Sequence, residues 1–170
     1  TNLPLFGISD NSFKTFSDRP NLLTKREIRI QILADLELPE MGTLFDIGSG
    51  SGTIGLEALR LRPKLELFSI DKRFGSQLLV KENAEKLRVS PKKIIESDIK
   101  QFLINDLNNS FSDTNRVVIG GCDKKTKIEI IEVFSKVLKR GDIIVIPIIT
   151  YEVLQEISNC LKQLNYETSI

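Results

Sequence analysis

Apolar positions change their spacing several times along the chain, and those changes outline its architecture. Ile28, Ile32, Leu33 and Leu36 recur at helical spacing behind Thr24-Lys25-Arg26-Glu27, which has the Ser/Thr-x-x-Glu form of a capping box. A helix is predicted from Thr24, ending before Pro39, with Met41-Gly42 turning the chain into a short apolar run over 43–47. From there strand-like runs (43–47, 65–70, 93–96, 116–119, 142–146) alternate with helix-like runs (53–61, 76–87, 99–107, 124–138, 151–164), and a last run starts at Tyr166. Such alternation predicts a doubly wound α/β fold, with parallel strands joined by right-handed helical crossovers. The near-continuous Ile/Val content of 142–146 suits a strand buried on both faces. Residues 1–23 show no sustained period and read as an irregular arm with one short helix over 10–16, docked on the body by Phe6, Phe13 and Phe16.

Composition narrows the function classes. The chain has 170 residues, 41% of them hydrophobic and 28% charged, which suits one globular domain. Lys plus Arg is 24 and Asp plus Glu 23, so the net charge of +1 gives no field that gathers nucleic acid or an acidic membrane. The longest apolar stretch, 143–149, contains Pro147 and is far short of the ~20 residues that span a bilayer. Histidine is absent, which removes imidazole bases and the commonest zinc ligand, and no metal site is expected. Cys122 and Cys160 form no Cys-x-x-Cys motif and read as thiols of a reducing, cytoplasmic compartment. A start at Thr1 reads as a chain cut from a longer one.

Candidate chemistry begins at Asp46-Ile47-Gly48-Ser49-Gly50-Ser51-Gly52, where the first strand ends and the first crossover helix starts. Alternating glycines there allow a sharp turn and let a ligand approach main-chain N–H groups closely. Gly50 to Gly55 also satisfies the Gly-x-Gly-x-x-Gly fingerprint of dinucleotide sites, which keeps a nicotinamide-dependent oxidoreductase among the alternatives. Two features argue against it: the first glycine after the strand is Gly48, and the Asp46 carboxylate repels a diphosphate. The same charge suits a ligand carrying an ammonium and a sulfonium, as S-adenosylmethionine does.

Asp-x-Gly-x-Gly-x-Gly resembles the first motif of class I S-adenosylmethionine-dependent methyltransferases. Two further acids fall where that family keeps them: Asp71 at the end of the second strand, in reach of ribose hydroxyls, and Asp98 with Ile99 after the third, beside the adenine. Read with the flanks, Gly7-Ile8-Ser9-Asp10-Asn11-Ser12-Phe13, Leu23-Thr24-Lys25-Arg26-Glu27-Ile28-Arg29 and Val118-Ile119-Gly120-Gly121, the chain resembles the decarboxylating precorrin-6Y methyltransferases of cobalamin biosynthesis. Cys122-Asp123-Lys124-Lys125 departs from that family, which continues with a small residue and more glycine. The resemblance implies the strand order 3-2-1-4-5-(7)-6, with the last strand missing because the chain stops at Ile170 inside the sixth. It also implies an arm and helix over 1–37 covering the cofactor site, a cofactor-binding unit over 38–170, a homotetramer, and possible fusion to an N-terminal tetrapyrrole methylase half.

The implied reaction is methylation of the carbon-15 meso position of a precorrin with loss of the carbon-12 acetate carboxyl. Cofactor contacts are expected from Thr24, Asp46, Gly48, Ser49, Gly50, Ser51, Gly52, Asp71, Asp98 and Ile99. The partner is then a polycarboxylate tetrapyrrole, for which Arg19, Lys25, Arg26, Lys124 and Lys125 are candidate carboxylate receptors. Gly120, Gly121, Thr150, Tyr151 and Glu152 are candidate rim residues, and no catalytic residue is assigned. Alternatives are a methyltransferase acting on RNA, protein or another small molecule, and a non-catalytic cofactor-binding module. Ile119-Gly120-Gly121-Cys122 lacks the Asn/Asp-Pro-Pro-aromatic tetrapeptide of common nucleic-acid amino methylators.

Overall fold

A computed structural model describes residues 3–105 and 110–170. Five parallel strands form one sheet in the order β3-β2-β1-β4-β5, built from β1 (Met41–Ile47), β2 (Lys64–Asp71), β3 (Lys93–Glu96), β4 (Asn115–Ile119) and β5 (Ile143–Val145). Helices α1 (Arg26–Asp35), α2 (Thr53–Leu61), α3 (Ser76–Leu87), α4 (Ile99–Asn105), α5 (Lys124–Phe134) and α6 (Tyr151–Gln163) flank it. Strand alternation divides the core in two. Leu44, Leu67 and Val118 pack towards α1, α2 and α3, while Phe45, Phe68, Val117 and Ile119 join Phe102 and Phe134 on the other face. The rings of Phe45 and Phe68 stack 5.4 Å apart, with Phe134 edge-on to Phe45 at 5.4 Å.

The predicted elements differ from the observed ones at several points. The helix from Thr24 starts instead at Arg26, with Lys25 as N-cap and no side-chain capping bond, because the Thr24 carbonyl is taken by the Arg29 guanidinium. The arm helix is a single 3-10 turn, Asp10–Ser12. Phe13 is buried, but Phe6 is 46% exposed and does not dock. β5 is half-buried at the sheet edge rather than covered on both faces. The run from Tyr166 adds no strand, because Asn165 is left-handed and the Tyr166 N–H donates back to Leu161 at 2.9 Å, closing α6. The last two residues of the run 99–107 lie outside the described residues.

The arm is held by a polar cluster under α1 and α2. Glu57, fully buried on α2, accepts the N–H groups of Gly7 and Ile8 on one oxygen and Arg29 Nε at 2.9 Å on the other. Arg29, equally buried on α1, also donates to Asp10 at 2.8 Å and to the Ile8 and Thr24 carbonyls. Its guanidinium carbon sits 4.9 Å from the centre of the Phe13 ring. Further along, Asn83 exchanges bonds with the Lys14 main chain at 2.7 and 3.0 Å. Glu57→Ala leaves Arg29 buried without its carboxylate, so a loss of about 3–5 kcal/mol is expected in urea unfolding. Glu40→Ala, from an exposed pair with Lys64, should leave the unfolding midpoint in place.

Candidate active site

Parallel strands end on one side of the sheet, and the loops leaving β1, β2, β3 and β4 meet there. Between β1 and α2 the backbone passes through Gly48 and Gly50 at φ +71° and +57°, a region open to glycine. A Cβ on Gly48 would lie 2.7 Å from the Gly121 nitrogen, so the loops after β1 and β4 touch backbone to backbone. The Gly120 N–H confirms that contact by donating to the Ile47 carbonyl at 2.8 Å. Lys127, buried on α5, holds the same turn from below, donating to the carbonyls of Ile119 at 2.9 Å and Gly120. Burial lowers the pKa of that ammonium.

Asp71 ends β2 and ties the loops together. One oxygen accepts the Gly50 N–H at 2.7 Å, and the other accepts the Arg73 N–H at 2.9 Å. The Arg73 side chain returns across the site, with Nη1 3.6 Å from Asp71 and its guanidinium carbon 6.0 Å from the centre of the Phe16 ring. Nη1 also lies 3.8 Å from where a Gly50 Cβ would be, and Nη2 3.7 Å from where a Gly121 Cβ would be. The Ser51 hydroxyl is buried in the glycine loop without a hydrogen-bond partner, while Ser49 accepts from the Ser69 hydroxyl at 2.9 Å. Asn83 donates to the Ser51 carbonyl at 3.0 Å, which links the arm to the loop.

Of the residues singled out in the sequence, Gly48, Asp71, Asp98, Ile99 and Gly121 line one cleft over these loops. Asp98 additionally caps α4, accepting the Lys100 N–H at 2.9 Å. Asp46 does not line it. It is buried on β1, accepts the Gly55 N–H at 3.0 Å and braces the start of α2. Burial pushes its carboxyl up to about 7, the Gly55 bond pulls it down and the charge of Asp71 pushes it up further.

The proposed carboxylate receptors lie elsewhere. Arg19 is exposed and 3.6 Å from Asp18, Arg26 donates to the Gly7 carbonyl at 2.7 Å, and Lys25 is exposed at the N-cap of α1. Lys124 is paired with Glu156 at 2.6 Å and Glu152 at 3.7 Å. Thr24, Lys125, Thr150, Tyr151 and Glu152 also stay outside the cleft lining, as do Ser49, Gly50, Ser51, Gly52 and Gly120, which lie in the loops beside it. Sequence reasoning missed Lys72, Arg73, Ser97, Cys122, Asp123 and Thr126, all of which line it. Their signal was topological, since each follows a strand or opens a helix at the C-terminal edge. Asp123 caps α5 through the Thr126 N–H at 3.0 Å, and burial raises the Cys122 thiol.

A family model described as a precorrin methyltransferase domain matches residues 15–168. A probable cobalt-precorrin-6B C(15)-methyltransferase (decarboxylating) of Sulfurisphaera tokodaii is 32% identical over 165 residues, covering 96% of this chain and 82% of its own. Its counterpart in Saccharolobus solfataricus is 30% identical over 161 residues, covering 94% and 78%. Among solved structures, the precorrin-6y C5,15-methyltransferase of Geobacter metallireducens GS-15 superposes with a TM-score of 0.82 at 27% identity, covering 98% of this chain and 83% of that one.

The Asp46 shift has a consequence for stability against pH. A carboxyl held at about 7 in the fold and at 3.8 when unfolded keeps its proton longer in the folded state, so stability is full below pH 3.8 and falls as pH rises through 7. Asp46→Asn removes this dependence. The variant should gain about 2–3 kcal/mol on wild type between pH 5 and pH 8, read from urea unfolding at both. An equal difference at the two pH values would show that Asp46 ionises in the fold as it does in the unfolded chain.

Proposed function

The chain belongs to the precorrin methyltransferase family, and on that premise we propose that it methylates carbon-15 of a cobalt-precorrin or precorrin from S-adenosylmethionine, with loss of the carbon-12 acetate carboxyl. The observation that carries the reading is the family match over residues 15–168, laid on a cleft that joins the glycine loop to Asp71. The residues present fit the cofactor: the buried Ser51 hydroxyl lacks a partner, and the missing side chains of Gly50 and Gly121 leave a space between the two loops that the Arg73 guanidinium reaches into. Main-chain groups of Gly48, Ser49, Gly50, Ser51 and Gly52 would hold its amino-acid part, Asp71 the ribose hydroxyls, and Asp98 with Ile99 the adenine. When bound, it supplies a methyl group already activated on a sulfonium whose leaving thioether is neutral.

The protein's share of the reaction is then alignment and exclusion of water. Lys127 fixes the Gly120-Gly121 turn, of which Gly121 lines the cleft that a macrocycle would approach. The arm, clamped by Glu57 and Arg29, brings Phe16 beside Arg73 and would cover that side of a bound cofactor. No helix among the described residues is long and apolar enough to cross a membrane. A homo-oligomer, an N-terminal tetrapyrrole methylase partner half and a cytoplasmic setting belong to the same reading.

Incubation with methyl-labelled S-adenosylmethionine and cobalt-precorrin-6B should give a product that has gained one methyl and lost carbon dioxide by mass. Label transferred to added RNA instead would move the assignment to the alternative. Asp71→Ala should weaken cofactor binding by about 1–3 kcal/mol in calorimetry, the scale for losing hydrogen bonds to a charged group. Gly121→Val, at a position without positive φ, puts bulk into the cleft and should abolish binding in a chain that still unfolds cooperatively.

A further inference from the structure

The substrate proposed above carries many carboxylates, and the cations first suggested for them are paired or placed outside the cleft. Those that line it are Lys72 and Arg73, side by side in the loop between β2 and α3. Several neighbours hold Arg73 in place. Its Nη1 faces the Asp71 oxygen that takes the Gly50 N–H, but at 3.6 Å the contact is an ion pair without a hydrogen bond. The guanidinium carbon lies 6.0 Å from the centre of the Phe16 ring, and its two Nη atoms lie 3.8 and 3.7 Å from where side chains at Gly50 and Gly121 would begin. The guanidinium therefore sits in the space between the two loops and leans on the carboxylate that a ribose diol needs.

We propose that Arg73 has two positions, pairing with Asp71 while the nucleoside is absent and binding a substrate carboxylate once the nucleoside has taken Asp71, so that the cofactor binds first. The inference rests on the methyltransferase reading and names the substrate receptor of that site. A nucleoside whose ribose hydroxyls donate to Asp71 needs the space that the guanidinium fills between the loops, so the guanidinium has to move off the carboxylate. The arginine keeps its stem at the cleft edge, and its guanidinium, moved away from Asp71, is a planar fork free to take an incoming carboxylate.

The test uses S-adenosylhomocysteine as the stable nucleoside and uroporphyrin III as a stable polycarboxylate tetrapyrrole, with its methyl ester as the uncharged control. Wild type should bind uroporphyrin at least about ten-fold more tightly in saturating S-adenosylhomocysteine than without it, and the ester should show no such gain. Arg73→Ala and Arg73→Gln should lose the gain while binding S-adenosylhomocysteine as tightly as wild type or more tightly, because a competitor for Asp71 has been removed. A merely structural Arg73 would weaken the nucleoside instead, and that result overturns the proposal. So does a ten-fold gain that survives in both variants. If wild type binds no S-adenosylhomocysteine, the cofactor reading itself falls, an outcome separate from a failure of Arg73 alone.

Discussion

Asp71 accepts the Gly50 N–H on one oxygen and the Arg73 N–H on the other, so a single buried carboxylate sets the loop after β1 against the loop after β2. Loop N–H groups away from water need acceptors, and an ionised carboxylate is the strongest one available in a side chain. With those two loops fixed, the turn after β4 can rest on Gly48 and the cleft has three walls of defined position. The same oxygens are what a ribose diol would engage. Order in the loops and occupancy of the cleft thus draw on one group, and a ligand arriving there must compete with the chain's own contacts rather than enter an idle pocket.

The arm follows a different logic. A buried ion pair such as Arg29 with Glu57 adds little net stability over a well-packed apolar pair, because both charges lose their hydration. What it contributes is register. The N–H groups of Gly7 and Ile8 must meet the Glu57 carboxylate, and the Ile8 and Thr24 carbonyls must meet the Arg29 guanidinium, so a shift by one residue would orphan several buried groups at once. Asn83 repeats the device nearer the site, bonding both the Lys14 backbone and the Ser51 carbonyl. The position of Phe16 beside Arg73 follows from these polar contacts together with the burial of Ile8 and Phe13 in the core, while Phe6 takes no part.

Much of the fold was legible because each strand and helix buries a face that its sequence spacing displays. The runs 53–61, 76–87 and 93–96 coincide with α2, α3 and β3. What escaped was decided by distant partners. Thr24 has the pattern of a helix cap, yet its carbonyl serves Arg29. Lys124 looks like any free lysine until α6 brings Glu152 and Glu156 beside it. The Ile/Val run at β5 reads as doubly covered, whereas its place at the sheet edge follows from strand order, which no local pattern encodes. Of the site, the glycine loop and the acids were readable from their place after strands. The cations were not, since charge type gives no hint of which side chain bends over the cleft.

Asp46 and Asp71 make the same point within the site. Both stand at or near a strand end, and the sequence pattern points to a cofactor contact from each. Asp46 lies opposite Ser69 in the β1–β2 register, and Asp71 is two residues further along β2, so the pleat sends both side chains to one face of the sheet. Burial penalises the deeper charge most, and repulsion from the Asp71 carboxylate on the same face adds to it. The arrangement resolves this by protonation: the lower acid rises to about 7 and acts as a brace for Gly55, which leaves Asp71 as the charge that meets the loops. An acid that can be neutral beneath the glycine loop braces the start of α2 without setting a second buried charge beside Asp71.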